Sequence, residues 1–146
     1  MSATNAFETS LLSHIFANAD IANVGDATGL RGSSTAGNLY ISLHTADPGE
    51  AAASGQQTSE CSYTSYARVA VVRSGSGWTI SGNNASNAAV VTFPTATGGS
   101  ETATHFGIGT ASSGAGVLLL KGALNATLAI SNGIAPSFAI GELDIN

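Results

Sequence analysis

The chain has 146 residues, 43% of them hydrophobic, enough for one domain with its own core and no obligatory metal or disulfide. Only 9% are charged, against about 25% in an ordinary soluble domain. The net charge of −5 reflects scarce bases, Arg31, Arg68, Arg73 and Lys121, not an acidic tract. Four scattered bases exclude the electrostatic footprint of a nucleic-acid binder and polybasic attachment to a membrane.

Phe7, Leu11 and Ile15 recur at helical spacing, with Leu12 and Phe16 as an adjacent pair, so a helix is expected near the start. Asn5 followed by Glu8 resembles a capping box and predicts the first turn there, with the helix fading near Asn18 to Asp20. Residues 20–37, with four glycines, read as a loop. From Leu39 the period becomes two: Leu39, Ile41 and Leu43 alternate with Tyr40, Ser42 and His44, the pattern of a half-buried strand.

Asp47-Pro48-Gly49 ends that strand in a turn, and a long polar loop follows over 47–62. Further strands are expected over 66–73, 78–80, 88–93, 103–109, 116–121, 123–130 and 136–145, with Gly- and Asn-rich turns between them. Residues 1–37 then form a helix and loop arm, and 38–146 the body of a single-domain molecule. About eight short strands without intervening helices predict an all-β, antiparallel, jelly-roll-like sandwich with one short N-terminal helix.

No constellation with catalytic spacing emerges, and no catalytic residue, metal ligand or cofactor site is expected. His14 sits among apolar helix residues, His44 ends a strand before a turn-forming Asp47, and His105 alternates with Phe106. HExxH, paired zinc cysteines, a GxSxG elbow and a phosphate-binding loop are all missing from the sequence. Cys61 is the sole cysteine, which excludes an intramolecular disulfide, and nothing beside it in sequence activates its thiol. Tyr40, Tyr63, Tyr66 and Trp78 fit either core packing or a sugar-stacking platform, with Trp78 expected to anchor the core.

No basic residue precedes an apolar run at the N-terminus, so a secretory signal is not expected. The longest purely aliphatic run, Val117 to Leu120, is too short to span a bilayer. A soluble chain made inside a cell is the expectation. Its weakly charged, polar surface suits a subunit that lies against neighbours better than a freely diffusing enzyme.

Four segments carry a resemblance: LYISLHTADPGE (39–50), SYARVAVVRSGSGW (65–78), ASNAAVVTFPTATGG (85–99) and THFGIGTASSGAGVLLLKGAL (104–124). Together they resemble a family of small tailed-bacteriophage virion proteins, commonly labelled tail-fibre-like, and the size and expected sandwich also resemble jelly-roll capsid decoration proteins. The resemblance implies a structural virion protein made in the host bacterial cytoplasm, and it transfers no catalytic residues. The chain lacks the elongated repeats of long fibres, which favours a cement protein stabilising the major capsid lattice. A tail or tail-fibre component is the alternative, and a carbohydrate-binding module a third. Partners would be the major capsid protein or further copies of the chain, not nucleic acid or membrane. Candidate subunit contacts are Asp47, Glu50, Gln56, Gln57 and Glu60 in the long loop, and Phe7, Leu11 and Ile15 on the helix.

Overall fold

A computed structural model describes residues 3–25, 28–50 and 55–146. The chain is all-β and antiparallel, of the sandwich class, with one short N-terminal helix, as the change of period from helical to alternating predicts. Helix α1 spans Asn5–Ala17. Its N-cap is Thr4, one residue before the expected Asn5: Thr4 is extended and its side chain accepts from the Phe7 N–H at 3.4 Å. Asn18 closes the helix in the left-handed conformation at φ 57°, and its N–H returns to the Ser13 carbonyl.

Nine strands follow among the described residues: β1 (Asn38–His44), β2 (Val69–Val72), β3 (Trp78–Ser81), β4 (Asn84–Asn87), β5 (Val91–Thr92), β6 (Ser100–Gly109), β7 (Leu118–Ser131), β8 (Ser137–Phe138) and β9 (Asp144–Ile145). They form a four-stranded sheet in the order β2-β1-β6-β7, a three-stranded sheet β3-β4-β9 and the pair β5-β8. Several expected boundaries are corrected. The strand expected over 66–73 narrows to β2, that over 88–93 shrinks to β5, and that over 136–145 divides into β8 and β9.

Strand β4 occupies a stretch read in part as a turn. Its sequence NASN has no apolar alternation, yet Ala85 and Asn87 are buried, so pairing with β3 and β9 overrides weak local propensity. The strands expected over 116–121 and 123–130 are one strand, because Gly122 makes no turn. It lies under the Phe106 ring, where a Cβ would sit 2.5 Å from a ring carbon.

The chain divides into two compact units. The first comprises residues 1–38, 71–91 and 138–146, so the segment expected as an arm shares a unit with β3, β4 and β9. Here α1 packs on β3 and β4. Phe16 and Trp78 are both buried and meet edge to face, ring centroids 4.6 Å apart. Among the described residues the Trp78 indole N–H has no hydrogen-bond partner, so it is the bulk of the ring that serves the core.

Arg73 ties off the helix, donating to the Ile15 carbonyl at 2.6 Å and the His14 carbonyl at 2.7 Å. Asn87 brackets the C-terminal segment: Nδ2 donates to the Ala89 and Ala139 carbonyls, and Oδ1 accepts from the Leu143 N–H. Of the five apolar positions of the helix stripe, Phe7, Leu11, Leu12, Ile15 and Phe16, only Phe16 is fully buried within the chain. The geometry explains this, since a 13-residue helix is about 20 Å long, whereas four-residue strands reach only about 13 Å.

The second unit comprises residues 39–70 and 92–137. Ile41 faces Ile108 and Leu43 faces Phe106 across the β1–β6 ladder, placing apolar side chains on one side of the sheet. Ser42 faces Gly107 and His44 faces His105, which places polar groups on the other side. Every residue of β1 from Ile41 to His44 is buried, so the strand expected to be half-buried is covered on both faces. What covers the polar face is the described part of the 47–62 loop.

Candidate functional site

The polar face of β1 and the segment 55–61 form a hydrogen-bonded latch inside the second unit. At its centre is Arg68, whose side chain is 1% exposed. Nε and Nη2 grip the two Glu60 oxygens at 2.7 Å each, in the forked geometry that suits guanidinium to carboxylate. Nη2 also donates to the Gly114 carbonyl at 2.7 Å, and Nη1 donates to the Ala111 carbonyl at 2.8 Å and to Gln56 Oε1 at 3.2 Å. One side chain, just ahead of β2, therefore fastens two loops, 55–61 and 111–114. Burial of such a pair is tolerable only because its donors and acceptors are matched this completely.

Gln56 extends the latch to β1: Nε2 donates to the Tyr40 carbonyl at 2.7 Å, while its main-chain N–H reaches the Ala115 carbonyl. His44 Nδ1 lies 2.9 Å from the Thr58 carbonyl, which only accepts, so Nδ1 carries the ring proton. Nε2 is then free to accept from Ser42 Oγ at 2.9 Å. Burial lowers the His44 pKa below its ordinary 6.5, against the smaller opposing pull of the Thr58 carbonyl, so the ring is held neutral.

Two glycines two apart on β6 make room for this arrangement. A Cβ on Gly107 would stand 2.7 Å from His44 Nε2 and 2.8 Å from Ser42 Oγ. On Gly109 a Cβ would clash with Gln56 Oε1 at 2.3 Å.

Ser42 and His44 make the contact a nucleophile and its base would make, but both have zero exposure and lie beneath Gln56 and Thr58. His14 Nδ1 is bonded to the Ala19 carbonyl, and His105 Nδ1 to Thr104 Oγ1. Cys61 is buried, and desolvation, with the Glu101 carboxylate adding to it, pushes its thiol up to about 12. Among the described residues no group of three or more His, Cys, Asp or Glu is placed to hold a metal ion, and no helix is long and apolar enough to cross a membrane.

Of the four aromatic residues weighed for sugar stacking, Tyr40 is half-buried. Trp78 and Tyr63 are buried, and Tyr63 donates to the Pro94 carbonyl at 3.0 Å. Tyr66 donates to Glu60 Oε1 at 2.8 Å and accepts from the Leu43 N–H, joining the latch. Burial raises the Tyr66 pKa.

The candidate contact residues fall into two groups. Gln56 and Glu60 are turned inward and occupied by the chain's own groups, so neither offers a free side chain to a neighbour. Asp47, Glu50 and Gln57 are exposed. Asp47 caps its own turn, accepting from the Gly49 N–H, and pairs with Lys121 Nζ at 2.8 and 2.9 Å. That hydrogen bond lowers the Asp47 pKa and raises that of Lys121. On the helix, Phe7 and Leu11 are 48% and 40% exposed and Ile15 is half-buried. Residues 51–54 of the loop lie outside the described residues.

Arg68, Ser42, Gly107 and Gly109 escaped sequence reasoning as a set. The legible signal was an arginine inside an aliphatic strand pattern, in a chain with four bases, and a Gly-x-Gly within a strand.

Among the described residues Ser42, His44 and Cys61 are buried, while Phe7, Leu11, Val117 and Ile140 are exposed. The chain matches the family of the podophage GP4 fiber I protein gp80 over residues 2–146, and it belongs to that family. It is accordingly a structural component of a tailed-bacteriophage virion. No curated protein matches the chain.

Proposed function

We propose that the chain is a non-catalytic subunit of a tail fibre or its attachment, joined to neighbouring virion proteins by broad surface complementarity. The family match across almost the whole chain carries this reading, because the relative it rests on is a fibre protein. Capsid decoration, which the compact, repeat-free sequence favours, is the competing position on the particle. The physical support is the direction in which groups face. Ser42, His44 and Cys61 are buried, while Phe7, Leu11, Val90, Val117 and Ile140 are exposed. A surface so poor in charge gains little from ion pairing and depends on close packing and water exclusion. Its partners on this reading are virion subunits or other copies of the chain, with nucleic acid, membrane and cofactors playing no part.

Immunogold labelling of intact particles with antibody against the purified chain tests the position. Label on the tail appendages is the expected result. Label distributed over the head, with binding of the purified chain to capsids lacking it, would establish the decoration role instead.

A further inference from the structure

A titratable ring lies at the bottom of the latch. Both nitrogens of His44 are engaged, Nδ1 with the Thr58 carbonyl and Nε2 with Ser42 Oγ, each at 2.9 Å. On the β6 side the ring is enclosed so tightly that a Cβ on Gly107 would stand 2.7 Å from Nε2. The charged and titratable groups that act on it are Glu60 and Arg68 in the latch and His105, its direct partner across the β1–β6 ladder. Glu60 is already forked to Arg68, so an imidazolium would meet a matched pair, with Arg68 and His105 both opposing its charge. A proton on Nε2 would also reverse the Ser42 hydrogen bond. Oγ would have to accept from the ring while Gln56 Nε2 approaches the same oxygen at 3.4 Å. Its own proton would be left with the Gly107 carbonyl at 3.4 Å, a long contact.

The segment over the ring is arranged to move as a piece. Its turns close on themselves, with the Thr58 N–H on the Gly55 carbonyl and the Glu60 N–H on the Gln57 carbonyl. It meets β1 and the residue after it through two main-chain bonds, Cys61 N–H to the Leu43 carbonyl and Thr45 N–H to the Ser59 carbonyl. Lifting it leaves the β2-β1-β6-β7 ladders intact. We propose that residues 55–61 are an acid-released latch: protonation of His44 detaches them from β1 and admits water to the polar face of that strand while the sheet stays folded. This device lies beyond the virion role proposed above and holds wherever on the particle the chain resides. A charged ring gains most from hydration, and moving Gln56 and Thr58 from above it is the shortest route to water. Glu60 leaves with the segment, while Arg68 keeps the Ala111 and Gly114 carbonyls and its freed edge is hydrated. Neither charge is then left dry.

Hydrogen exchange of the full chain between about pH 7.5 and 5, corrected for the pH dependence of intrinsic exchange, tests the latch. The reporters are the Gln56, Cys61 and Thr45 amides, bonded to the Ala115, Leu43 and Ser59 carbonyls. Below 6.5 their opening should increase at a slope approaching about tenfold per pH unit, that of one proton taken up. At each acid pH they should exchange ahead of the Trp78 and Gly141 amides in the first unit. His44→Gln, which cannot take the charge, should remove the slope. NMR titration of the wild-type ring decides without any variant, since its midpoint must coincide with the onset of opening. Protection that is flat with pH, or lost equally at Trp78 and Gly141, would overturn the proposal. So would an opening that follows the Glu60 carboxyl signal instead of the His44 ring, or a slope that persists in folded His44→Gln.

Discussion

The two units hold themselves together by opposite means. In the first, the centre is Phe16 against Trp78, an aromatic contact whose one polar atom has no partner among the described residues. In the second, the polar side of the sheet is filled by Arg68, Glu60, Gln56, His44 and Ser42, and nearly every donor has an acceptor. A packed aromatic pair tolerates small displacements and loses energy in proportion to the space vacated. A buried ion pair loses far more when one member is removed, because the other is left charged and dry. The second unit should therefore be the more sharply specified, and its loops the more rigidly placed.

Chemical denaturation of variants can break that contrast. Arg68→Ala should be the most damaging change, about 3–5 kcal/mol, because it strands Glu60 and frees both fastened loops. Arg68→Lys should recover little, since an ammonium cannot fork to Glu60 while also reaching Ala111 and Gly114. Phe16→Ala should cost about 3–5 kcal/mol as well, but the cause differs. Phe16→Leu should recover much of that loss by refilling volume, a rescue with no counterpart at Arg68. Equal rescue at both positions would erase the distinction.

Gly107→Ala and Gly109→Ala come next, at about 1–3 kcal/mol each, because the added methyl meets His44, Ser42 or Gln56. A smaller effect follows from pH. The folded-state pKa of His44 lies below its unfolded value of 6.5, so below that value the unfolded chain binds the extra proton. The stability due to neutral His44 is full above 6.5 and is lost as pH falls from there through the folded value. Wild-type unfolding measured across this window should show the loss, and His44→Gln should flatten it. Asp47→Asn should have the smallest effect on stability, since the Lys121 pair is solvent-exposed and screened by salt. A large loss there would give the loop a part in the second unit that its geometry does not suggest.

Residues whose role is set by their own neighbours were readable without a structure. The helix from Asn5 follows from the spacing of Phe7, Leu11 and Ile15, β1 from the alternation of Leu39, Ile41 and Leu43, and the Asp47-Pro48-Gly49 turn from backbone preferences. Local pattern also marked Val117 to Leu120 as the longest aliphatic run, but not that it opens the end strand of the four-stranded sheet. Only the tertiary structure decided that Gln56 and Glu60 point inward, that β1 is covered on both faces, and that NASN is a strand. Each of these depends on a partner distant in sequence: Gln56 on Tyr40, Glu60 on Arg68, and Asn87 on Ala139 and Leu143. A polar residue looks alike in sequence whether water or a buried carbonyl satisfies it, because the difference is one of solvation, and solvation is fixed only when the chain closes over it.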